Sequence, residues 1–318
     1  MKVFFMIMLE QGLKFMTETR SSFYSKVLLF GEYSIIKDSM ALATPYPLFE
    51  GKLLFHPEKQ IDLELKAFAH YLRDLPKEEW SCVDFDLETF ENEVTQGLFF
   101  DSTIPQGFGV GSSGAVVAAI FDRYARNANE LSSDIFRLKK ILAIMESHFH
   151  GSSSGMDPLI TYLNTPLLIK DKLNLGPVVL PKFKKSEGSL FILNTARPRK
   201  TEPLVNLFLE KCRQDEFNHL LHNVLTPITN GCINSFLAGD TITLYERFRE
   251  LSDFQYRHFQ PMIPKLFRPL WREGLKGEKF YLKLCGAGGG GFLLGMTKDF
   301  SKAKEALAQH EVRSLFNL

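Results

Sequence analysis

The most informative segment of this chain is Pro105-Gln-Gly-Phe-Gly-Val-Gly-Ser-Ser-Gly114. An extended apolar segment precedes it, and an apolar helix is predicted after it, over residues 115–126. Glycines let backbone N–H groups approach a phosphate closely, a helix N-terminus adds a positive dipole end, and serine hydroxyls can reach a phosphate oxygen or a metal ion. The stretch therefore predicts a phosphate-binding loop, and the alternative is an ordinary glycine-rich turn.

The same loop also matches a dinucleotide-binding pattern, because Gly109, Gly111 and Gly114 have the spacing G-x-G-x-x-G. That interpretation requires a second parallel strand after the helix, with an acidic residue at its end. Residues 134–148 instead have apolar residues at helical spacing. No Gly-Lys-Ser/Thr follows the loop, so it is not a P-loop. The sequence therefore argues against a dinucleotide site.

Composition narrows the class of protein. The chain has 318 residues, 45% of them hydrophobic, which is enough for one large domain or two intimate ones. The formal net charge is +1, with no basic patch, so no nucleic-acid partner is expected. The four cysteines form no C-x-x-C pair and are interpreted as reduced core thiols of a cytoplasmic protein.

The N-terminus begins with an apolar run over residues 1–9. The run is too short to span a membrane and no cleavage site follows it, so no membrane partner is expected. Residues 1–20 are expected to form a disordered extension, with Met16 as an alternative start.

Two carboxylates flank a second loop in Glu146-Ser-His-Phe-His-Gly-Ser-Ser-Ser-Gly-Met-Asp157. One carboxylate can hold Mg²⁺ and the other can face a nucleophilic hydroxyl, as phosphoryl transfer requires. The alternative is a solvated helix glutamate and an aspartate in a turn. His148 and His150 do not share a helix face, so a zinc site is not expected and His150 is interpreted as structural.

Two further segments contain unusual residues at the ends of predicted strands. In Lys26-Val-Leu-Leu-Phe-Gly-Glu-Tyr33, a lysine opens an apolar strand, where its charge needs a partner such as a phosphate or a substrate hydroxyl. The alternative is a lysine that snorkels at the strand edge. In Lys283-Leu-Cys-Gly-Ala-Gly-Gly-Gly-Gly291, four consecutive glycines cost backbone entropy, which predicts close approach by a ligand or another loop.

Local patterns predict the remaining elements. Alternation predicts strands at residues 40–43, 53–55 and 61–65, and Ser133 is expected to cap the helix at 134–148. The pattern weakens over residues 170–181, where we expect a domain boundary.

In this order, the segments resemble the motifs of the GHMP kinases, which include galactokinase, homoserine kinase, mevalonate kinase and phosphomevalonate kinase. The family motif P-x-G-x-G-L-G-S-S-A corresponds to residues 105–114, and G-A-G-G-G-G corresponds to residues 286–291. The resemblance implies an α+β fold of two domains with ATP and substrate between them. Residues 21–175 would form an N-terminal ATP-binding domain like ribosomal protein S5 domain 2, and residues 176–318 a ferredoxin-like C-terminal domain.

Within the family, the chain is most similar to mevalonate kinase. Residues 26–43 resemble K-V-I-L-x-G-E-H-A-V-V-x-G-x-x-A-L-A, residues 146–157 resemble E-R-x-x-H-G-x-P-S-G-x-D, and residues 194–201 resemble N-T-x-x-P-R-x-T. The galactokinase signature is absent. The resemblance implies ATP- and Mg²⁺-dependent phosphorylation of a small-molecule hydroxyl, with mevalonate as the leading substrate and isoprenoid precursor synthesis as the pathway.

The resemblance also implies roles for individual residues. Asp157 would be the catalytic aspartate, Lys26 would pair with it and polarise the hydroxyl, and Arg199 would suit a carboxylate. Mg²⁺ would be held by Ser113 and Glu146. Substrate-side residues would be Glu32, Tyr33, Arg199 and Thr201. ATP would contact Pro105, Gly107, Gly109, Gly111, Ser112, Ser113, Gly114, Gly288 and Gly289.

Several positions depart from the mevalonate kinase pattern. Tyr33 replaces a histidine that usually follows Gly-Glu, and Gly-Glu-Tyr also occurs in phosphomevalonate kinases. Phosphomevalonate, homoserine or a sugar therefore remain alternative substrates. Separately, the chain could form a homodimer. The other departures are Asp38-Ser39 for the turn glycine, Gly114 for alanine, Ser153 for proline and Pro158 for asparagine.

An alternative from another class is a non-catalytic nucleotide-binding protein on the same scaffold. Such a protein would be expected to lose Lys26, Glu146 or Asp157, and all three are present.

Overall fold

The structure, a computed structural model, describes residues 22–171, 173–183, 187–199 and 202–318. The expected extension at residues 1–20, and Thr201, lie outside the described residues. The strands are β1 (Phe23–Phe30), β2 (Ala41–Phe55), β3 (Leu98–Ser102), β4 (Leu167–Asp171), β5 (Asn174–Pro177), β6 (Ser189–Asn194), β7 (Tyr281–Leu284), β8 (Phe292–Thr297) and β9 (Val312–Asn317).

The α-helices lie in groups between some of these strands, together with short 3₁₀- and π-helical segments. They are α1 (Leu63–Arg73), α2 (Lys77–Trp80), α3 (Leu87–Thr95), α4 (Ser112–Tyr124), α5 (Ala128–Leu131), α6 (Ile135–His150), α7 (Met156–Leu163), α8 (Glu202–Lys211), α9 (Asp215–Leu220), α10 (Thr226–Ala238), α11 (Thr241–His258), α12 (Arg268–Gly277) and α13 (Phe300–Ala306).

The chain forms two compact units that exchange segments along the sequence. The first unit comprises Tyr46–Ile104, Gly111–Asn164 and the described residues before Lys26. The second unit comprises Lys26–Pro45, Pro105–Val110 and Thr165–Leu318. Each unit therefore contains more than one of the motifs found in the sequence.

The first unit combines a two-stranded antiparallel ladder with most of the N-terminal helices. The end of β2 pairs with β3, with Gly51 opposite Ser102. Phe68 of α1 and Phe90 of α3 are fully buried and meet edge to face, with ring centroids 6.3 Å apart. Because α4 is apolar around most of its circumference, it is suited to the centre of this unit.

In the second unit, β6 to β9 form a four-stranded antiparallel sheet with the order β7-β8-β6-β9. Five helices lie in sequence between β6 and β7, β8 follows β7 directly, and α13 lies between β8 and β9. This order and connectivity are those of a ferredoxin-like sheet. Packed aromatic side chains, such as Phe30 against Phe236 at 6.1 Å, build its core.

A second ladder in the same unit joins distant parts of the chain. The start of β2 pairs antiparallel with β4, with Ala41 opposite Ile169, and β4 pairs with β5. The strand β5 lies where the sequence pattern weakened, because its residues alternate poorly and only two of the four are half-buried.

Two local predictions were wrong. The strand expected at residues 61–65 is the start of α1, because the Asp62 carboxylate accepts the N–H groups of Glu64 and Leu65 at 2.9 and 3.0 Å and caps a helix there. The cap of α6 is Asp134 rather than Ser133, since Asp134 accepts the N–H groups of Phe136 and Arg137. In both cases an aspartate carboxylate accepts the first N–H groups of the helix and thereby determines where the helix begins.

Within the described ranges, no helix combines the length and the apolar character needed to cross a bilayer.

Candidate active site

The first glycine loop has left-handed backbone at every second residue. Gly107, Gly109 and Gly111 have φ values of 76°, 74° and 83°, and α4 begins at Ser112 directly afterwards. Residues with a Cβ rarely adopt this region, so the glycines are needed for the loop's conformation. Alternating backbone of this kind turns successive N–H groups into a concavity that binds anions. The loop and the helix N-terminus therefore supply the geometry that a phosphate requires.

Ser113 and Glu146, predicted to share a metal ion, lie in hydrogen-bond contact within the first unit. Ser113 Oγ donates to Glu146 Oε1 at 2.9 Å, and Ser153 Oγ donates to Glu146 Oε2. The Glu146 side chain is buried, so these hydroxyls offset the cost of removing its carboxylate from water. The structure brings the two residues together from the start of α4 and the end of α6.

His150 also contacts this group. Its Nε2 lies 3.0 Å from Ser113 Oγ. A serine hydroxyl has a single hydrogen, and Ser113 gives it to Glu146, so Nε2 must carry a hydrogen and donate it to Ser113. His150 thus fixes the orientation of Ser113 in addition to ending the helix.

The donor atoms fit Mg²⁺. A carboxylate and hydroxyls are hard oxygen ligands, and Mg²⁺ typically takes one or two protein oxygens and completes its shell with phosphates and water. The described residues include no cluster of three or more His, Cys, Asp or Glu side chains that could hold a metal. Glu146 and Ser113 would therefore hold the ion together with a bound nucleotide, not as a closed protein cage.

Asp157 lies in the first turn of α7, half-buried, where the start of α7 packs against α4. A Cβ on Gly114 would lie 2.7 Å from the Pro158 nitrogen and 3.0 Å from Asp157 Cβ. Such approach is closer than van der Waals contact, so only glycine fits at this position. Gly114 and Pro158, two of the departures from the family pattern, thus meet beside the predicted catalytic aspartate.

Lys26 belongs to the second unit. Its side chain is buried, and its backbone N–H donates to the Val110 carbonyl at 2.9 Å. The lysine therefore sits on the strand that is tied directly to the first glycine loop.

Glu32 and Lys283 form a buried ion pair within the second unit. Lys283 Nζ donates to Glu32 Oε1 and, at 2.7 Å, to the Leu284 carbonyl. Both side chains are almost fully removed from solvent. Burial raises the pKa of the Glu32 carboxyl, while Lys283 and the Gly286 amide act in the opposite direction. The carboxylate predicted to face substrate thus binds the strand that leads into the third glycine loop, residues 286–291.

Tyr33, the residue that replaces the usual histidine, also reaches the third loop. Its hydroxyl donates to the Ala287 carbonyl at 2.6 Å, and its ring packs on Phe208 and Phe259 at 4.6 and 5.3 Å. Burial raises the pKa of the Tyr33 phenol, so it stays protonated and keeps this hydrogen bond at neutral pH. Its φ of 62° is unusual for an aromatic residue and is held by these contacts.

Arg199 joins the first and third glycine loops. Its backbone N–H donates to the Gly107 carbonyl at 2.9 Å. Its guanidinium passes so close to Gly109 and Gly286 that a Cβ on either would clash, with Nη2 only 2.7 Å from the position of a Gly286 Cβ. Glycine at both positions therefore makes room for a cation beside the candidate phosphate loop.

The third glycine loop packs against other parts of the same unit. The Gly289 N–H donates to the Met262 carbonyl, and the Gly291 N–H to the Arg197 carbonyl, both at 2.6 Å. The close approach expected from the sequence is thus made, at least in part, by the chain itself. Contacts of Gly288 and Gly289 with a nucleotide remain predictions.

Comparison with known proteins supports the resemblance. Residues 66–165 match the family model described as GHMP kinases N terminal domain. The structure of Leishmania major mevalonate kinase in complex with R-mevalonate superposes with a TM-score of 0.61 at 17% identity, covering 92% of this chain and 91% of that one. This chain has the GHMP kinase fold. The α+β fold class predicted from the sequence and the resemblance to GHMP kinases, mevalonate kinase included, are confirmed.

Other GHMP kinase folds are about as similar. Streptococcus pneumoniae phosphomevalonate kinase gives a TM-score of 0.63 at 16% identity, covering 92% of this chain and 96% of that one. Lactococcus lactis galactokinase complexed with galactose gives 0.61 at 15%, covering 97% of each chain. No curated protein sequence matches the chain. Identities this low establish the GHMP kinase fold and leave the substrate to be inferred.

Three residues of the site escaped the sequence reasoning. The motif alone indicates no role for Lys283, although a lysine within a buried strand needs a buried partner as much as Lys26 does. His150 was assigned only a structural role, since a helical wheel does not show that it reaches Ser113. Ser153 is visible in the sequence only as a serine at a position where the family pattern has proline.

Proposed function

We propose that this chain is an ATP-dependent kinase that phosphorylates a small-molecule hydroxyl, with mevalonate as the leading acceptor and 5-phosphomevalonate as the product. The observation that carries the proposal is the Ser113–Glu146 contact at the N-terminus of α4, directly after the alternating glycine loop. An anion-binding loop that continues along the chain into a helix whose first turn contacts a buried carboxylate suits a metal–triphosphate complex.

The remaining residues suit direct in-line transfer. The transition state of phosphoryl transfer is loose, so catalysis comes mainly from positioning and from stabilising charge on the phosphoryl oxygens. Asp157 would orient the acceptor hydroxyl or take its proton, and the Lys26 ammonium would polarise that hydroxyl. When bound, Mg²⁺ neutralises charge on the phosphate oxygens. Amides of the first glycine loop would hold the triphosphate.

Arg199 supports an anionic acceptor. A guanidinium recognises a carboxylate with two parallel hydrogen bonds, and mevalonate has one carboxylate. The neighbouring glycines at 109 and 286 leave room for this side chain. With mevalonate as its substrate, the protein would act in the cytoplasm in the synthesis of isoprenoid precursors.

Phosphomevalonate is the second candidate, on a specific observation. Tyr33 replaces the histidine typical of mevalonate kinases, and its hydroxyl is committed to Ala287. Tyr33 thus departs from the mevalonate kinase pattern, whereas the charged residues Lys26, Glu146 and Asp157 match it.

A coupled assay of ADP release tests the proposal. The purified chain is given ATP and Mg²⁺ with mevalonate, phosphomevalonate, homoserine, galactose or no acceptor. Turnover with mevalonate alone is expected. Turnover with another acceptor would support the same reaction on a different substrate. ADP release in the absence of any acceptor would contradict the proposal, and so would a lack of ADP release with every acceptor of the panel.

A further inference from the structure

Ser153 occupies a position where the mevalonate kinase pattern has proline. Its hydroxyl donates to Glu146 Oε2 and accepts the N–H of Gly155 at 2.9 Å. Proline could make neither contact, because it has no hydroxyl. Both oxygens of the Glu146 carboxylate are consequently held by serine hydroxyls, Oε1 by Ser113 and Oε2 by Ser153.

The loop that presents Ser153 is itself anchored to α6. Gly155 is buried with a φ of 71°, and a Cβ there would lie 2.9 Å from Ala143 Cβ and 3.0 Å from the Ala143 nitrogen. Because Gly155 is fixed against the helix that also contains Glu146, its N–H sets where the Ser153 oxygen lies. The hydroxyl hydrogen is then free to point at only one strong acceptor, the carboxylate.

We infer that Ser153 is a positioning residue that orients the Glu146 carboxylate for the magnesium–ATP complex; the inference rests on the proposed function. Groups that hydrogen-bond to a metal-binding carboxylate fix its orientation and so raise its affinity for the ion. Ser113 alone fixes one oxygen and leaves rotation about the Cγ–Cδ bond. A second hydroxyl on Oε2 removes that rotation.

A purely structural role for Ser153 makes a different prediction. If the hydroxyl only stabilised the loop, its loss would weaken binding of ATP with and without Mg²⁺ to the same extent. If it orients Glu146, its loss should affect only the metal-dependent part of binding. Measuring nucleotide affinity with and without the ion separates the two roles without relying on turnover.

The experiment is calorimetric titration of the full chain with ATP, in excess Mg²⁺ and in EDTA. For Ser153→Ala we expect affinity about tenfold weaker in Mg²⁺ and unchanged in EDTA. Ser153→Thr keeps the hydroxyl and should restore wild-type affinity. Ser152→Ala, in the same loop but exposed, is the matched control and should behave as wild type. Thermal unfolding midpoints equal to the control would show that the variants are folded.

Ser153→Ala with wild-type affinity in Mg²⁺, or with equal loss in Mg²⁺ and EDTA, would overturn the inference while leaving the proposed function intact. A wild-type chain that binds ATP equally with and without Mg²⁺ would overturn the metal role of Glu146 and this inference with it. A wild-type chain that binds no ATP at all would overturn the proposed function itself.

Discussion

At the scale of single residues, the sequence indicated which charged residues belong to the candidate site better than it indicated which residues contact them. Ser113 and Glu146 could be paired because the resemblance to GHMP kinases implies that they share a metal ion, and the structure brings them to 2.9 Å. The contact of Ser153 with Glu146 could not be predicted, since it depends on how a five-residue loop folds back onto α6. The contact of His150 with Ser113 could not be predicted either, since it depends on how α6 packs against α4. The role of Asp157 stays a prediction and is open to direct test.

Asp157→Asn removes the carboxylate charge and keeps the side-chain shape. If Asp157 acts on the acceptor hydroxyl, kcat should fall by roughly a hundredfold or more, while the affinity for ATP stays nearly unchanged. Steady-state kinetics and ATP titration measure the two quantities. Asp134→Asn is the matched control, because asparagine caps a helix as well as aspartate does. An Asp157→Asn variant with wild-type kcat would contradict the assignment.

At the scale of elements, close packing explains why particular glycines and charges are present. The turn after β1 reaches the third glycine loop twice, through Glu32 to Lys283 and through Tyr33 to Ala287. The sequence indicated that both segments matter, yet it could not show that they bind each other, because they are about 250 residues apart. The substrate-side role of Glu32, which the resemblance to GHMP kinases implies, stays a prediction.

The buried Glu32–Lys283 ion pair should contribute to the free energy of unfolding. Glu32→Gln leaves the Lys283 ammonium buried without its counter-charge, and the expected loss in the free energy of unfolding is about 3–5 kcal/mol. The double variant Glu32→Gln, Lys283→Met removes both charges and should regain most of that loss. Urea unfolding measures both. A double variant no more stable than Glu32→Gln would show that the charge pair is not what the fold requires.

The contact between α4 and α7 should limit what position 114 accepts. Gly114→Ala places a methyl group 2.7 Å from the Pro158 nitrogen, so the helices must separate at a cost of about 1–3 kcal/mol. Because Asp157 moves with α7, kcat should fall as well. Gly176→Ala is the control, since a Cβ there meets nothing within 4 Å. Gly114→Ala with unchanged stability and kcat would contradict this account of the helix contact.

At the scale of the whole molecule, the order of the motifs predicted the fold class, and local alternation predicted only part of the sheets. The strands β7 and β8 border the third glycine loop and were visible as apolar runs, whereas β5 and β9 consist of half-exposed residues with little periodicity. The exchange of segments between the two units could not be predicted, because contacts distant in sequence determine it. The boundary expected after residue 175 remains a prediction.

The most direct test of the account is to follow the γ-phosphate itself. The chain is incubated with γ-labelled ATP, Mg²⁺ and mevalonate, and the labelled products are separated and identified by mass spectrometry. One labelled 5-phosphomevalonate is expected for each ADP formed. Label found only in inorganic phosphate, or ATP left intact in the presence of every acceptor of the panel, would contradict it.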